Sequence, residues 1–169
     1  MAAEFLVLLI FPLLLALAAG WDLASYTIPN FLQIALIVSF GAFVFATGMA
    51  LEAVGWHVLA GFLGLFVGFT LFALGYVGGG DAKLFACITL WLGLRALPEY
   101  ALMASLTGGA LTLLVITMRQ MPLPALLSGQ HWIAKLHEAR GPIPYGVALS
   151  AGVFLILPHA EIFRLAAAL

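Results

Sequence analysis

An all-α bundle crossing a membrane about six times is the fold this sequence predicts. Three observations predict it. Hydrophobic residues make up 65% of the 169 residues and charged residues 8%, against roughly 25% charged in a soluble domain. Mean hydropathy is +1.21. The apolar residues come in long runs divided at charges, Gly and Pro, and runs such as Phe62-Leu63-Gly64-Leu65-Phe66-Val67 lack the alternation of a membrane β-barrel strand. A surface this poor in charge faces lipid. Lipid offers no partner to an exposed amide, so each span closes its own hydrogen bonds as a helix.

The spans fall at roughly 4–20, 29–50, 56–77, 82–97, 100–118 and 143–158. Together they make one membrane-embedded domain over residues 1–169. In the first, Glu4 stands where a signal peptide has positive charge, and the Ala-rich stretch runs on into Gly20-Trp21-Asp22. It reads as a retained span. In the second, Pro29 sits in the first helical turn, where a missing N–H costs nothing, and Thr27 is placed to cap it. In the third, Gly61, Gly64, Gly68 and Gly75 share one helical face and predict close packing against a neighbour.

Pro98 separates the fourth span from the fifth. The longest polar stretch, Arg119 to Gly141, holds Trp132, Ile133 and Leu136 at helical spacing and reads as a short amphipathic helix at the membrane surface. Pro142 and Pro144 introduce the sixth span. With the N-terminus outside, Lys83, Arg119, Lys135 and Arg140 lie inside, and Glu4, Glu52, Glu99 and Glu161 outside with Arg95 and Arg164. That agrees with the positive-inside rule and puts Asp22 and Asp81 on the cytoplasmic side.

Several functions are excluded by what the chain lacks. A net charge of −1 leaves no basic footprint for nucleic acid. The single cysteine, Cys87, allows no internal disulfide and no CxxC metal site. His131 and His137 are six apart and do not share a helix face as a metal pair does. No span pairs a serine with a histidine. Asp81 occupies the place where a phosphate loop needs lysine, and Lys83 spoils a GxGxxG reading.

Asp22 and Asp81 remain. Ionisable groups at membrane depth are costly and mark function by default. Taken singly, Asp81 reads as a helix cap and Asp22 as a solvated interfacial charge. Taken together they suit acid–base chemistry. Two carboxylates sharing a site do not both ionise, so one takes a proton from water while the other polarises a carbonyl. The glycines before Asp81 are expected to take positive φ and bring the backbone close to a substrate strand.

Gly78-Gly79-Gly80-Asp81 matches the GxGD motif of intramembrane aspartyl proteases. Three strings occur in order: Asp22 followed by Ile28-Pro29-Asn30, then Gly-x-Gly-Asp-x-Lys-Leu at Gly78 to Leu84, then Pro144-Tyr145-Gly146. On these strings the chain resembles the type IV prepilin peptidase family, most closely its short Flp/Tad pilus-assembly members. The resemblance implies an endopeptidase of the bacterial inner membrane. It removes the short, positively charged leader of a prepilin at the cytoplasmic face, just before the hydrophobic segment.

By the same resemblance Asp22 and Asp81 are the catalytic pair, and Gly78, Gly80 and Lys83 support the active-site loop. Pro144 and Tyr145 are structural. Long members of the family resemble a two-part enzyme with a Cys-rich insert and N-methyltransferase activity. This chain has one cysteine and no insert between its first two spans. Peptidase activity without zinc, S-adenosylmethionine or any other cofactor is therefore expected. Its partners are the prepilin, the lipid bilayer and other pilus-assembly proteins. The rival readings are a small proton- or cation-coupled transporter and a non-catalytic subunit of a pilus or secretion complex.

Overall fold

The computed structural model describes residues 2–123, 129–139 and 141–163, and among them there is no strand. Among the described residues four helices are long and apolar enough to cross a membrane: α1 (Ala2–Ser25), α2 (Asn30–Thr47), α3 (Leu51–Ala73) and α4 (Gly79–Arg119). Two shorter helices follow, α5 (His131–His137) and α6 (Tyr145–Ile156). Large apolar side chains cover the outside, among them Phe45 at 90% exposure and Phe66 at 70%. In water such a surface would aggregate. The chain is a multi-pass membrane protein.

The fourth and fifth predicted spans are the two halves of α4. The break is at Gly93 (φ 77°, ψ 173°), and Pro98 lies inside the second half. Phe85 stacks on Tyr100 with ring centroids 5.3 Å apart, so residues 79–92 (α4a) and 94–119 (α4b) lie side by side as a hairpin. Breaking the helix removes the amide that Leu90 O would otherwise accept. His57 Nδ1 lies 2.9 Å from that oxygen and replaces it. A Cβ on Gly93 would come within 3.0 Å of the His57 ring.

The glycine face of the third span packs as expected at three of its four positions. Gly61 meets Leu90, Gly64 meets Thr89, and a Cβ on Gly68 would lie 2.9 Å from the Ala82 backbone. Gly75 departs from the expectation. It lies beyond the helix at φ 79° with open space around it. This seam fixes α4a, and hence Asp81, against α3. On the other side, Gly152 of α6 approaches the Ala104 backbone of α4b, and Thr107 Oγ1–H donates to Ala148 O at 2.9 Å.

The core gathers around Trp91. Its ring stacks on Phe11 at 4.5 Å and touches Phe40 and Phe43, while its indole N–H donates to Leu36 O at 2.8 Å. Pro12 is passed by a π turn in which the Phe11 amide bonds Leu6 O. The proposed cap at Thr27 does not form. Pro29 itself is the N-cap of α2, and Thr27 Oγ1 shares a hydrogen bond with Ser25 Oγ at 2.8 Å. The amphipathic segment forms α5, with Leu136 turned inward and Trp132 exposed.

Candidate active site

Asp22 does not follow the first helix; it belongs to its last turn. The helix ends at Ser25, and Tyr26 takes a left-handed conformation (φ 57°) with its amide bonded to Asp22 O at 2.7 Å. Asp22 is buried at 4% exposure. Its Oδ2 accepts the amide of Gly146 at 2.7 Å, from a residue 124 positions away. Gly146 is in the first turn of α6, where amides have no partner within the helix. A Cβ there would lie 2.9 Å from Asp22 Oδ2 and 2.8 Å from Ile28 Cδ1, so the close approach requires glycine.

Asp81 is the third residue of α4. Its Oδ2 accepts the Gly78 amide at 3.1 Å, closing the helix start. Asp81 is therefore not the N-cap, which is Gly78, but one of its oxygens reaches back to the N-cap amide. The other, Oδ1, is buried and has no hydrogen-bond partner among the described residues. A buried acceptor left unpaired costs about 1–3 kcal/mol, so capping alone does not explain this side chain.

The two carboxylates come together. They line one cavity of about 320 Å³ with Tyr26, Asn30, Gly78 and Lys83. The charge of Asp81 acts on Asp22. Tyr26 brings a buried hydroxyl with no partner among the described residues. Burial raises its pKa above the usual phenol value against the opposing pull of Arg119, so it stays a neutral donor. The Lys135 ammonium lies 4.8 Å from its ring centroid.

Physical reasons for the three sequence strings are visible here. Ile28 is a buried wedge between Gly80, where a Cβ would sit 3.3 Å away, and Gly146. Asn30 Oδ1 accepts from Lys83 Nζ at 3.0 Å, and Gln33 Nε2 donates to Gly80 O at 3.2 Å. The loop glycines do not work as expected. Gly78 has φ −73°, and Gly79 and Gly80 open the helix without positive φ. Gly80 is needed for the approach of Ile28 instead. Ile28 and Gly146 stood in the sequence strings without a role, because their contacts are distant in the chain, and sequence reasoning assigned no role to Tyr26.

The segment around Glu138 is held by Arg119, which donates to Leu136 O at 2.8 Å and Gly141 O at 3.0 Å. Glu138 itself is exposed. Among the described residues no three His, Cys, Asp or Glu side chains are grouped to hold a metal ion. Arg140 and Arg164 lie outside the described residues.

A helical membrane bundle with two buried aspartates at one end defines a class of intramembrane site. Comparison with known proteins names the family. Residues 9–113 match the type IV leader peptidase family, and the chain belongs to it. It is 34% identical over 134 residues to a prepilin leader peptidase/N-methyltransferase of Dickeya chrysanthemi, covering 75% of this chain and 46% of that protein. It is 32% identical over 158 residues to the Bacillus subtilis (strain 168) protein of the same name, covering 90% and 55%. The chain thus spans about half the length of these relatives. No solved structure matches.

Proposed function

We propose that this chain is a membrane-embedded aspartyl endopeptidase that removes the leader from Flp-type prepilins at the cytoplasmic face of the inner membrane. The observation that carries it is the convergence of Asp22 and Asp81 on one cavity, with Asp22 held there by the Gly146 amide. Two carboxylates in such a site hold one proton between them. The ionised member takes a proton from a water, which attacks the scissile carbonyl carbon. The protonated member gives its proton to the carbonyl oxygen. Collapse of the tetrahedral intermediate breaks the C–N bond, and the leaving amine receives a proton from the pair. The pair titrates as a unit, so neither role belongs to one residue. Gly146 orients Asp22, and Lys83 braces the loop through Asn30.

The reaction needs only water and the two carboxylates, and only the peptidase half of the relatives' names is carried over. The basic residues Lys83, Arg119 and Lys135 at the aspartate end support a cytoplasmic placement. A transporter reading fits less well. Transporter sites tend to sit near mid-bilayer at broken helices, whereas Asp22 is in the last turn of α1 and Asp81 in the first turn of α4.

The test is co-expression with a Flp-type prepilin. The wild type converts precursor to the mature form, and Asp22→Asn and Asp81→Asn insert in the membrane but leave the precursor uncut. An uncut precursor with the wild type, or normal cutting by either variant, contradicts the proposal.

A further inference from the structure

A second cavity, of about 580 Å³, opens on the other side of Asp81. Its walls come from α3 (Val67, Gly68, Leu71) and from α4b, and its floor from α4a and the start of α6. On α4b the lining residues Ala101, Ala104, Ser105, Gly108, Gly109 and Thr112 recur at three- and four-residue spacing, so a small-residue face of that helix, together with Leu113, forms the wall. From Ala101 to Thr112 this face extends about 17 Å at 1.5 Å per residue.

Apart from the aspartate, the lining hydroxyls have partners. Ser105 Oγ donates to Ala101 O at 2.7 Å and Thr112 Oγ1 to Gly108 O at 2.8 Å. The cavity wall therefore asks for no polar ligand along its length. Asp81 differs. It is more than nine-tenths buried, lines the cavity, and keeps Oδ1 without a partner among the described residues. Small faces let membrane helices approach closely, and a partner seated this way is apolar along the groove and polar only where it meets Asp81.

We infer that this groove seats the apolar transmembrane helix of the substrate, with its first turn beside Asp81 and the scissile bond just before it. The inference rests on the proposed peptidase reading. Three features select a helix over a lipid chain as occupant. The groove is continuous with the aspartate cavity through Asp81, its wall has helical periodicity, and the polar atom left unsatisfied among the described residues is the Asp81 oxygen that a presented peptide bond can meet. A lipid acyl chain offers nothing to that atom.

The groove can be filled without disturbing the fold. A Cβ at Gly109 meets nothing within 4 Å, and Ser105 is exposed. Gly109→Phe and Ser105→Phe are therefore expected to slow cleavage of a membrane-inserted prepilin by roughly tenfold or more in kcat/KM. Leu106→Phe, at an exposed position outside the groove, leaves it unchanged.

A second measurement is cysteine cross-linking in the Asp81→Asn protein. Ser105→Cys is paired with single cysteines along the first turns of the prepilin helix. A cross-link at helical period, together with slowed cleavage by the two groove variants, supports the assignment. Unchanged cleavage by both variants, or no cross-link at any position, overturns it and leaves the groove to lipid. Failure of the peptidase reading itself shows separately, as a precursor the wild type does not cut.

Discussion

The two ends of the bundle each hold a pair of charged residues, and the pairs are opposite in kind. At one end Arg95 and Glu161 carry unlike charges 3.6 Å apart, with side chains 87% and 49% exposed. At the other, Asp22 and Asp81 carry like charges and are buried. The first arrangement needs no explanation. Exposed ion pairs form readily and contribute about 0–1 kcal/mol. The second costs free energy, and folding alone offers no reason to keep it. The proposed acid–base chemistry supplies one, because a like-charge pair lets a site hold acid and base together. The ends also differ in their glycines. Gly93 lets a helix turn back beside His57, which is a matter of fold. Gly146 lets an amide reach Asp22, which is a matter of the site.

That contrast can be broken by substitution, and outside the two carboxylates the largest effect is expected at Gly146. Gly146→Ala forces a methyl against Asp22 Oδ2 and Ile28, and a displacement near 1 Å at a reacting group costs roughly 100-fold in rate. Prepilin cleavage measures it, and near-normal activity would show that the Gly146 amide does not orient the pair. At the far end, Gly93→Ala places a side chain at φ 77°, ψ 173°, costing about 1–3 kcal/mol of stability. Thermal unfolding in detergent should fall while cleavage at low temperature persists. A loss of cleavage with stability intact would mean that the two ends are coupled.

Lys83→Met removes the donor to Asn30. A net hydrogen bond of about 0.5–1.5 kcal/mol corresponds to a drop of roughly threefold to tenfold in cleavage. Asn30→Ala should match it, and the double variant should be no worse than either single one. The smallest effect is expected at Arg95→Ala, within about 1 kcal/mol of wild-type stability and without change in cleavage.

The class of fold was legible because charge scarcity and unbroken apolar runs act locally, residue by residue. The two aspartates were legible for the same reason: in a chain with so few charges, each buried-looking acid stands out. What was not legible depended on partners far along the chain. Pro98 carries the familiar signal of a break, yet the helix breaks at Gly93, where His57 supplies the missing partner for Leu90 O. Gly78 to Gly80 look like a left-handed loop, yet they lead into a helix, and the left-handed residue lining the aspartate cavity is Tyr26. Gly146 stands in the third sequence string without a role until Asp22 is seen against its amide. The short span of α4a blurred the boundary because α4a and α4b pair as a hairpin and share one run of apolar sequence.

The central claim is that Asp22 and Asp81 act as one unit. The most direct test is the rate of prepilin cleavage by Asp22→Asn, Asp81→Asn and the double variant, each at matched membrane levels. Residues that work as a unit are not additive, so each single change should fall by roughly 1,000-fold or more, to the level of the double. If the two single losses are modest and multiply in the double variant, or if either single variant keeps wild-type cleavage, the two carboxylates act separately and the shared-proton account is wrong.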